Sequence, residues 1–393
     1  MKSQTRTLVA FSLVICIGCI KRKPENLLVG GQWVTEYNRE HGWWNRVTYS
    51  FINDSIVDTK HKPYFRYDTS KSYFKRLRSA KYLGTKTKYK IEEDSLKIYD
   101  LEEKTWGKGI KLAKLTKDTL ILTKPDEARK VFVRKFCDLS GKARFDKIVL
   151  HRFPGWAGAF VHIIIEANGN VFVKGHFNRT DQGEDYYFVS TISAERFKEI
   201  EENFLRVDYN RLRSYYDIGG TDATTISTTF CKGNKIVKSV VDYGPCGPDE
   251  LVWAYPELEF LYQSLDLKRI PDEKLPLYTK LGLWWMNSGK EEAHLSSSDN
   301  FLLSYYLMKG VRILDQAIQA KYIVTDVRDL TLKDPVKEKS RVSKVESDGR
   351  LFKFYERNGE SYIIDIGFNF LDENFAVFKE EYKAQRTFES NAY

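Results

Sequence analysis

Residues 89–99 read YKIEEDSLKIY, in which apolar and polar residues alternate on both sides of a polar turn at 93–95. A repeat of two residues is typical of β-strands with one buried face, and a short polar turn between two such runs predicts a hairpin. The same arrangement returns at 110–115 and 119–123. Short strands at this spacing, without helical periodicity, predict an antiparallel β-meander over residues 27–136 that closes into a barrel or a strongly curved sheet.

The predicted meander opens with Gly31-Gln32-Trp33. This tripeptide resembles the Gly-x-Trp start of lipocalin-like domains, in which the tryptophan closes one end of the barrel. The resemblance implies a ligand cavity, and an open barrel with an apolar lumen would carry a small apolar ligand. A small barrel can also be filled by its own side chains, and this is the interpretation we favour.

Residues 145–270 predict a second domain, of the α+β type. Asn168-Gly169 is a strong hairpin signal that places Glu166 opposite Val171, and Ser193 is positioned to cap an amphipathic helix. The remaining predicted elements are a strand at 147–150, a hairpin at 224–242 and a helical segment at 258–265.

Histidines and cysteines in this domain predict no metal site and no disulfide. The hairpin register places His162 opposite Gly175 and His176 opposite Val161, so His162 and His176 point to opposite faces of the sheet. With His151, they are expected to be ordinary sheet histidines. Cys231 and Cys246 would lie about 20 Å apart at ~3.3 Å per residue, which predicts free, mostly buried thiols.

The second domain resembles an uncharacterised family of exported bacterial domains. The residues that carry the resemblance are 145–150, the first hairpin and its helix, Tyr216-Asp217, the threonine-rich strand at 222–227 and Asp242-Tyr243-Gly244. The first loop of that family often reads Cys-aromatic-Gly-x-Cys-Pro, whereas the loop at 154–159 has no cysteine. Any disulfide, redox or metal role of those cysteines is therefore not expected here, and the family implies no known activity.

Residues 275–393 predict a third, smaller α+β domain. Asp299 is placed to cap a long helix that reaches Ala320, and a small sheet follows at 342–345, 351–356 and 361–368. The charged segment at 333–341 is expected to be a loop. The overall class is thus β-rich α+β, with a lipocalin-like barrel followed by two smaller α+β domains.

The first residues predict export. Lys2 and Arg6 precede an apolar run at 8–17, which is too short to span a bilayer, and the run ends in Ile17-Gly18-Cys19. This start resembles that of bacterial lipoproteins, which implies a signal peptide at 1–18, acyl chains on Cys19 and a tether at 19–26. Cys16 stands where leucine is usual, so cleavage by an ordinary signal peptidase is the alternative.

The lipoprotein resemblance implies attachment to the outer membrane through the N-terminal lipid. Lys21-Arg22-Lys23 follows the cysteine in place of the acidic run of some surface-exported lipoproteins, which favours the periplasmic face over the cell surface. The net charge of +9 is scattered among 54 acidic residues and forms no recognisable module, so we expect no nucleic-acid partner.

The chain contains no catalytic motif that we recognise, and we expect no cofactor and no catalytic residue. The doublets Trp43-Trp44 and Trp284-Trp285 are candidates for stacking on a glycan or anchoring a protein partner. On a strand one ring of each doublet would point outward, and core packing of the inner ring is the simpler interpretation.

The function that we favour from the sequence is non-catalytic binding or scaffolding at the cell envelope. One alternative is an envelope hydrolase with an active site between domains, and another is a carrier of a small apolar ligand in the first domain. A concave pocket that collects two carboxylates would favour the hydrolase, and a large exposed patch around the tryptophans would favour the binding protein.

Overall fold

A computed structural model describes residues 24–35, 47–72, 79–124, 129–155, 160–175, 186–271, 283–287, 289, 291–314, 316–326 and 342–391. The predicted leader, Cys19, Trp43, Trp44, His176 and the charged segment at 333–341 lie outside these residues. Trp284 and Trp285 lie on a described strand, but their side chains are not described. No described helix has both the length and the hydropathy that a bilayer span requires.

The first region is a closed antiparallel barrel. A short helix, α1 (Pro24–Leu28), precedes eleven strands: β1 (Gln32–Thr35), β2 (Thr48–Phe51), β3 (Ile56–Asp58), β4 (Tyr64–Arg66), β5 (Lys81–Gly84), β6 (Lys86–Glu92), β7 (Ser95–Asp100), β8 (Thr105–Trp106), β9 (Ile110–Leu115), β10 (Thr119–Thr123) and β11 (Lys130–Lys135). Eight strands follow the order β6-β3-β2-β1-β11-β10-β9-β7, and β7 pairs back with β6. The closed barrel confirms the predicted meander.

The barrel interior is filled by large side chains, as the sequence indicated for a barrel of this size. Buried residues that form its core include Tyr49, Phe51, Val57, Tyr89, Leu96, Leu120, Leu122 and Phe132. Trp33 is fully buried; its indole nitrogen donates to the Leu28 carbonyl at 2.8 Å, and the Arg134 guanidinium lies 5.1 Å from its ring centroid. The tryptophan therefore packs between the barrel core and helix α1.

The second sheet has eight strands. They are β12 (Lys147–Phe153), β13 (Val161–Glu166), β14 (Asn170–Gly175), β15 (Tyr186–Thr191), β16 (Tyr215–Asp217), β17 (Thr225–Lys232), β18 (Lys235–Tyr243) and β19 (Lys268–Arg269), in the order β16-β18-β17-β12-β13-β14-β15-β19. Helices α2 (Ala194–Leu205) and α3 (Asp249–Glu259) pack on one face through a shared apolar core. Only the edge strand β16 runs parallel to its neighbour among these pairs.

The helix predictions for this region are partly confirmed. Ser193 caps α2 as predicted, because its hydroxyl accepts the backbone N–H of Arg196. The closing helix begins earlier than predicted, at Asp249 directly after Pro248, and it ends at Glu259. A 3-10 turn at Leu261–Ser264 accounts for the rest of the predicted segment.

The register of the first hairpin differs from the prediction by one residue. Ile165, and not Glu166, lies opposite Val171, so His162 lies opposite Lys174. The reason is a longer turn: Gly169 has a φ of 88° and donates its N–H to the Glu166 carbonyl at 2.8 Å. The prediction assumed a two-residue turn at Asn-Gly. The observed turn is one residue longer, because it includes a glycine in the left-handed region.

The third sheet has seven strands and shares its core with the second. Its strands are β20 (Leu283–Asn287), β21 (Glu292–His294), β22 (Val311–Ile313), β23 (Tyr322–Asp326), β24 (Val342–Ser347), β25 (Leu351–Glu356) and β26 (Ser361–Asp365), in the order β21-β20-β23-β24-β25-β26-β22. Helices α4 (Ser297–Lys309) and α5 (Phe370–Asn391) complete the chain. One apolar core contains residues of both sheets and both helices.

Helix α4 lies inside the molecule and is shorter than predicted. Its residues from Ser298 to Leu307 are all buried, and it contacts β12, β13 and β17 of the second sheet and β20 of the third. Ser296, and not Asp299, caps it, and the helix ends before Gly310. A Cβ on Gly310 would lie 2.5 Å from the Ile364 side chain, so the close approach to β26 requires glycine. The chain then continues as strand β22.

The barrel contacts the second sheet's helical layer through side chains of both regions. Lys60 donates to the Asn203 side chain at 2.7 Å, and the backbone N–H of Tyr82 donates to Gln263 at 2.8 Å. The rings of Phe65 and Phe260 pack at a centroid distance of 5.0 Å. Polar and aromatic contacts therefore join the barrel to the rest of the molecule. We call that part, the second and third sheets with helices α2 to α5, the α/β layers.

Candidate functional site

A cavity of about 220 Å³ opens where strands β16–β18 meet the segment before α4 and the helix α5. The strands contribute Tyr215, Ser227 and Tyr243 to its wall. Val241 and Leu295 supply an apolar part of the wall. The cavity therefore lies between the second sheet and segments that come from the C-terminal part of the chain.

Helix α5 brings Glu381 and Gln385 to the cavity. Together with Asn374 and Phe378 they are spaced four, three and four residues apart, so the four side chains share one face of the helix. Phe378 is fully buried, and the Asn374 side chain accepts the backbone N–H of Ile236 at 2.7 Å. These contacts fix the helix across β18, and the face changes from apolar to polar where the cavity begins.

Asp299 lies in a buried network of hydroxyl groups beside the cavity. One carboxylate oxygen lies 2.6 Å from the hydroxyl oxygens of both Thr229 and Ser239, and the other accepts the Ser296 hydroxyl at 2.7 Å. Ser298 joins the network, since its backbone N–H donates to Ser227 at 3.0 Å. The hydroxyl-rich face of β17 and β18 thus serves as a set of donors for one carboxylate.

Glu381 is the exceptional residue of the cavity. Glu381 is 5% exposed, and its carboxyl group hydrogen-bonds to the neighbouring carboxyl of Asp299 without a further partner among the described residues. Burial, and then the negative charge of Asp299, raise the pKa of Glu381 well above its usual range. The nearest lysine, Lys238, is occupied elsewhere: it contacts Glu380 at 3.1 Å and Ser214 at 2.9 Å. Glu381 therefore holds its proton more tightly than an exposed glutamate does.

The arrangement places in the cavity wall a buried carboxyl group whose one hydrogen-bond partner among the described residues is a second carboxyl group. Buried polar groups in native proteins usually have all their partners, and a ligand in the cavity can supply those that Glu381 lacks. Glu381 can donate as a neutral acid or accept as a carboxylate. The sequence did not reveal this residue, because no helix was predicted at 370–391; the apolar spacing of Leu371, Phe375 and Phe378 was the available signal.

The candidate residues predicted from the sequence do not come together at this cavity in the described part of the chain. Cys19, Trp43 and Trp44 lie outside it, and Trp284 and Trp285 lie on β20 without described side chains. The roles assigned to these residues stay predictions. The cysteines at 137, 231 and 246 are free, as predicted, but only Cys231 is buried; Cys137 and Cys246 are partly exposed, so the expectation of mostly buried thiols is wrong.

Two of the three histidines form a buried pair that the sequence analysis did not foresee. His151 and His162 lie opposite each other on β12 and β13, with 3.1 Å between their Nδ1 atoms. Burial lowers the pKa of His151 to about 3 and that of His162 well below its usual range, so both rings are neutral near pH 7. Within the described residues, no group of three or more metal-ligating side chains is present.

A domain family of unknown function, DUF6438, matches residues 159–262, about a quarter of the chain. The match covers β13 to α3 and confirms the predicted resemblance to an uncharacterised family for this region. No curated protein and no solved structure matches the chain. The cavity combines Tyr215, Ser227 and Tyr243 of the matched region with Glu381 and Gln385 from outside it.

Proposed function

We propose that this is an exported, lipid-anchored envelope protein whose α/β layers bind a small polar ligand without transforming it. The observation that carries the binding role is Glu381, a buried carboxyl group at the wall of a cavity whose one hydrogen-bond partner among the described residues is the carboxyl of Asp299. A ligand that reaches this group would complete its hydrogen bonds. The neighbouring carboxylate of Asp299 already has three hydroxyl contacts, which supports binding and not catalysis.

A thermal-shift screen of small polar compounds tests the binding role. A ligand that binds the folded state raises the unfolding temperature by an amount that grows with the ratio of ligand concentration to Kd. We expect compounds that stabilise the wild type to lose their effect in Glu381→Gln. Glu373→Gln is the matched control, because Glu373 lies in the same helix, is exposed and does not line the cavity. An equal shift in Glu381→Gln, or no shift by any compound, would contradict the proposal.

The lipid anchor is tested at Cys19. Cys19→Ser should leave the membrane fraction and lose the acyl mass that intact mass spectrometry detects in the wild type, since two or more acyl chains make membrane attachment stable. Cys16→Ser is the control and should stay membrane-bound. A soluble wild type without acyl mass would show that the leader is cleaved by an ordinary signal peptidase. Protease treatment of intact cells separates the periplasmic face, which we propose, from the cell surface.

An envelope hydrolase is the second candidate, because Glu381 of the cavity wall lies beside the carboxyl of Asp299. A buried carboxyl with a raised pKa has the property of a general acid. Under this alternative, Glu381→Gln loses hydrolysis of a panel of ester, amide and glycoside substrates while Glu373→Gln keeps it. The filled interior of the barrel gives no support to a carrier of apolar ligands.

A further inference from the structure

The charges around the cavity are unbalanced. Its lining contains no lysine and no arginine, and Glu381 is the one carboxyl group among the described residues that line it. The charged and titratable groups around Glu381 are Asp299 from α4, Lys238, which lowers its pKa from β18, and Glu380 on α5 itself. His294 of β21 and the phenols of Tyr215 and Tyr243 complete the titratable groups of the wall.

Lys238 does not neutralise the carboxyl pair, because it contacts Glu380. Asp299 and Glu381 thus share a buried region in which Asp299 is paired with hydroxyl groups, whereas Glu381 hydrogen-bonds, among the described residues, to Asp299 alone. A second negative charge in such a region is unfavourable unless a cation balances it. An anionic ligand would add to the imbalance, whereas a cation would remove it.

The wall also distinguishes an organic cation from a metal ion. Val241 and Leu295 line the wall and suit a short carbon chain, and Tyr215 and Tyr243 add aromatic residues, a type that attracts organic cations. No cluster of three metal-ligating side chains exists among the described residues. An ammonium group supplies up to three hydrogen-bond donors, enough for both oxygens of Glu381.

We propose that the cavity binds a small organic cation, a primary ammonium or guanidinium compound with a short carbon chain, whose charged group pairs with Glu381. The inference rests on the proposed binding function and specifies its ligand class. On binding, the carboxyl proton of Glu381 passes to solvent, and the resulting carboxylate accepts hydrogen bonds from the cation. No covalent bond forms or breaks in the ligand.

The test is isothermal titration calorimetry of the full chain with four probes: butylammonium, butanol, butyrate and calcium ion. Titrations in PIPES and in HEPES, which contain no primary amine and do not precipitate calcium, measure the protons released, because the two buffers differ in ionisation enthalpy. We expect butylammonium to bind wild type and the control Glu373→Gln, an exposed residue of α5 outside the cavity lining, with net proton release. In Glu381→Gln its affinity should fall at least tenfold, since the charged partner is lost, and the proton release should disappear.

Other outcomes overturn the ligand class without deciding the broader function. Tighter binding of butanol or butyrate would show a neutral or anionic ligand at the same cavity, and the proposed binding role would stand. Binding of calcium that excludes butylammonium would show a metal site. Absence of binding by all four probes would reject the organic cation, and the screen of polar compounds would then decide the binding role. Circular dichroism of each variant confirms that it is folded.

Discussion

The barrel and the α/β layers are both β-rich, but they are assembled in different ways. Most barrel strands pair with strands nearby in the chain, and their core is a cluster of its own. The core between the second and third sheets joins Val149 and Phe172 to Phe352 and Phe378, which are distant in sequence. The cavity depends on α4 and α5, so it forms only when these long-range contacts are complete.

The two regions also differ in charge. Residues 27–136 contain 24 basic and 14 acidic residues, a net charge of +10, whereas residues 137–393 contain 34 basic and 39 acidic residues, a net charge of −5. The basic barrel follows the predicted anchor directly, where anionic lipid headgroups would attract it. The acidic region holds the cavity for which we propose a cationic ligand.

The largest expected effect is that of a core substitution in α4, which should destabilise the α/β layers and leave the barrel folded. Phe301 of α4 packs on His162 and Phe172 of the second sheet, with centroid distances of 4.6 and 5.6 Å. Phe301→Ala should cost about 3–5 kcal/mol of unfolding free energy, as for other buried phenylalanines. Hydrogen exchange should increase in both sheets and remain unchanged in the barrel.

Phe132→Ala is the matched substitution in the barrel core. It should destabilise by a similar amount and increase exchange within residues 32–135 alone, because Phe132 belongs to the separate barrel cluster. If Phe301→Ala increases exchange only in α4, or if it also opens the barrel, the division into two cooperative regions is wrong.

Acid should weaken the α/β layers through the histidine pair. The pKa of both rings is lowered in the folded state, so the unfolded chain binds more protons, and stability falls as the pH drops below about 6.5 towards 3. Each histidine contributes a slope of about 1.4 kcal/mol per pH unit. The double variant His151→Leu/His162→Leu should remove this slope from urea unfolding measured between pH 6.5 and 4.

His61 provides the barrel counterpart. Burial lowers its pKa to about 4, so it should impose a similar slope on the barrel. His61→Leu is expected to flatten the pH dependence of barrel exchange and leave that of the two sheets unchanged. An unchanged slope in the double variant would show that the pair does not control acid stability.

Local patterns in the sequence predicted most of the barrel, and they predicted the α/β layers less well. Alternation at 89–99 and the turn at 93–95 are properties of neighbouring residues, so the hairpin could be read directly. Helix α4 is buried on nearly all sides, because it lies between two sheets, and this removes the one-sided apolar pattern from which the ends of a helix are predicted. Its predicted extension to Ala320 ignored Gly310.

The cavity could not be predicted for the same reason. Asp299 was interpreted as a helix cap because aspartate before an apolar run is typical of that position. Its actual partners, Thr229 and Ser239, come from strands about 60 to 70 residues away in the chain. Contacts between residues so far apart leave no pattern among neighbouring residues of the sequence. Glu381 lies still farther along the chain from these strands.

Within the second sheet, two adjacent threonines test the hydroxyl network. Thr229 contacts Asp299, whereas the buried Thr228 hydroxyl on the opposite face has no partner in the described residues. Thr229→Val should cost about 1–3 kcal/mol, because a buried carboxylate loses a donor. Thr228→Val should be neutral or stabilising, since it removes an unpaired polar group. Urea denaturation measures both, and equal effects would contradict the role given to Asp299.

The smallest expected effect lies in the barrel, at Gly31. A Cβ atom built on this residue would come within 2.5 Å of the Arg134 side chain, whose guanidinium lies over Trp33. Gly31→Ala should therefore displace Arg134 and cost about 1 kcal/mol, the usual size of a point-mutation effect. Gly220→Ala is the control, because its nearest neighbour would lie at 3.8 Å. Tryptophan fluorescence and exchange at 32–35 should change in the first variant alone, and an unaltered barrel would show that the cation–π contact of Arg134 does not stabilise it.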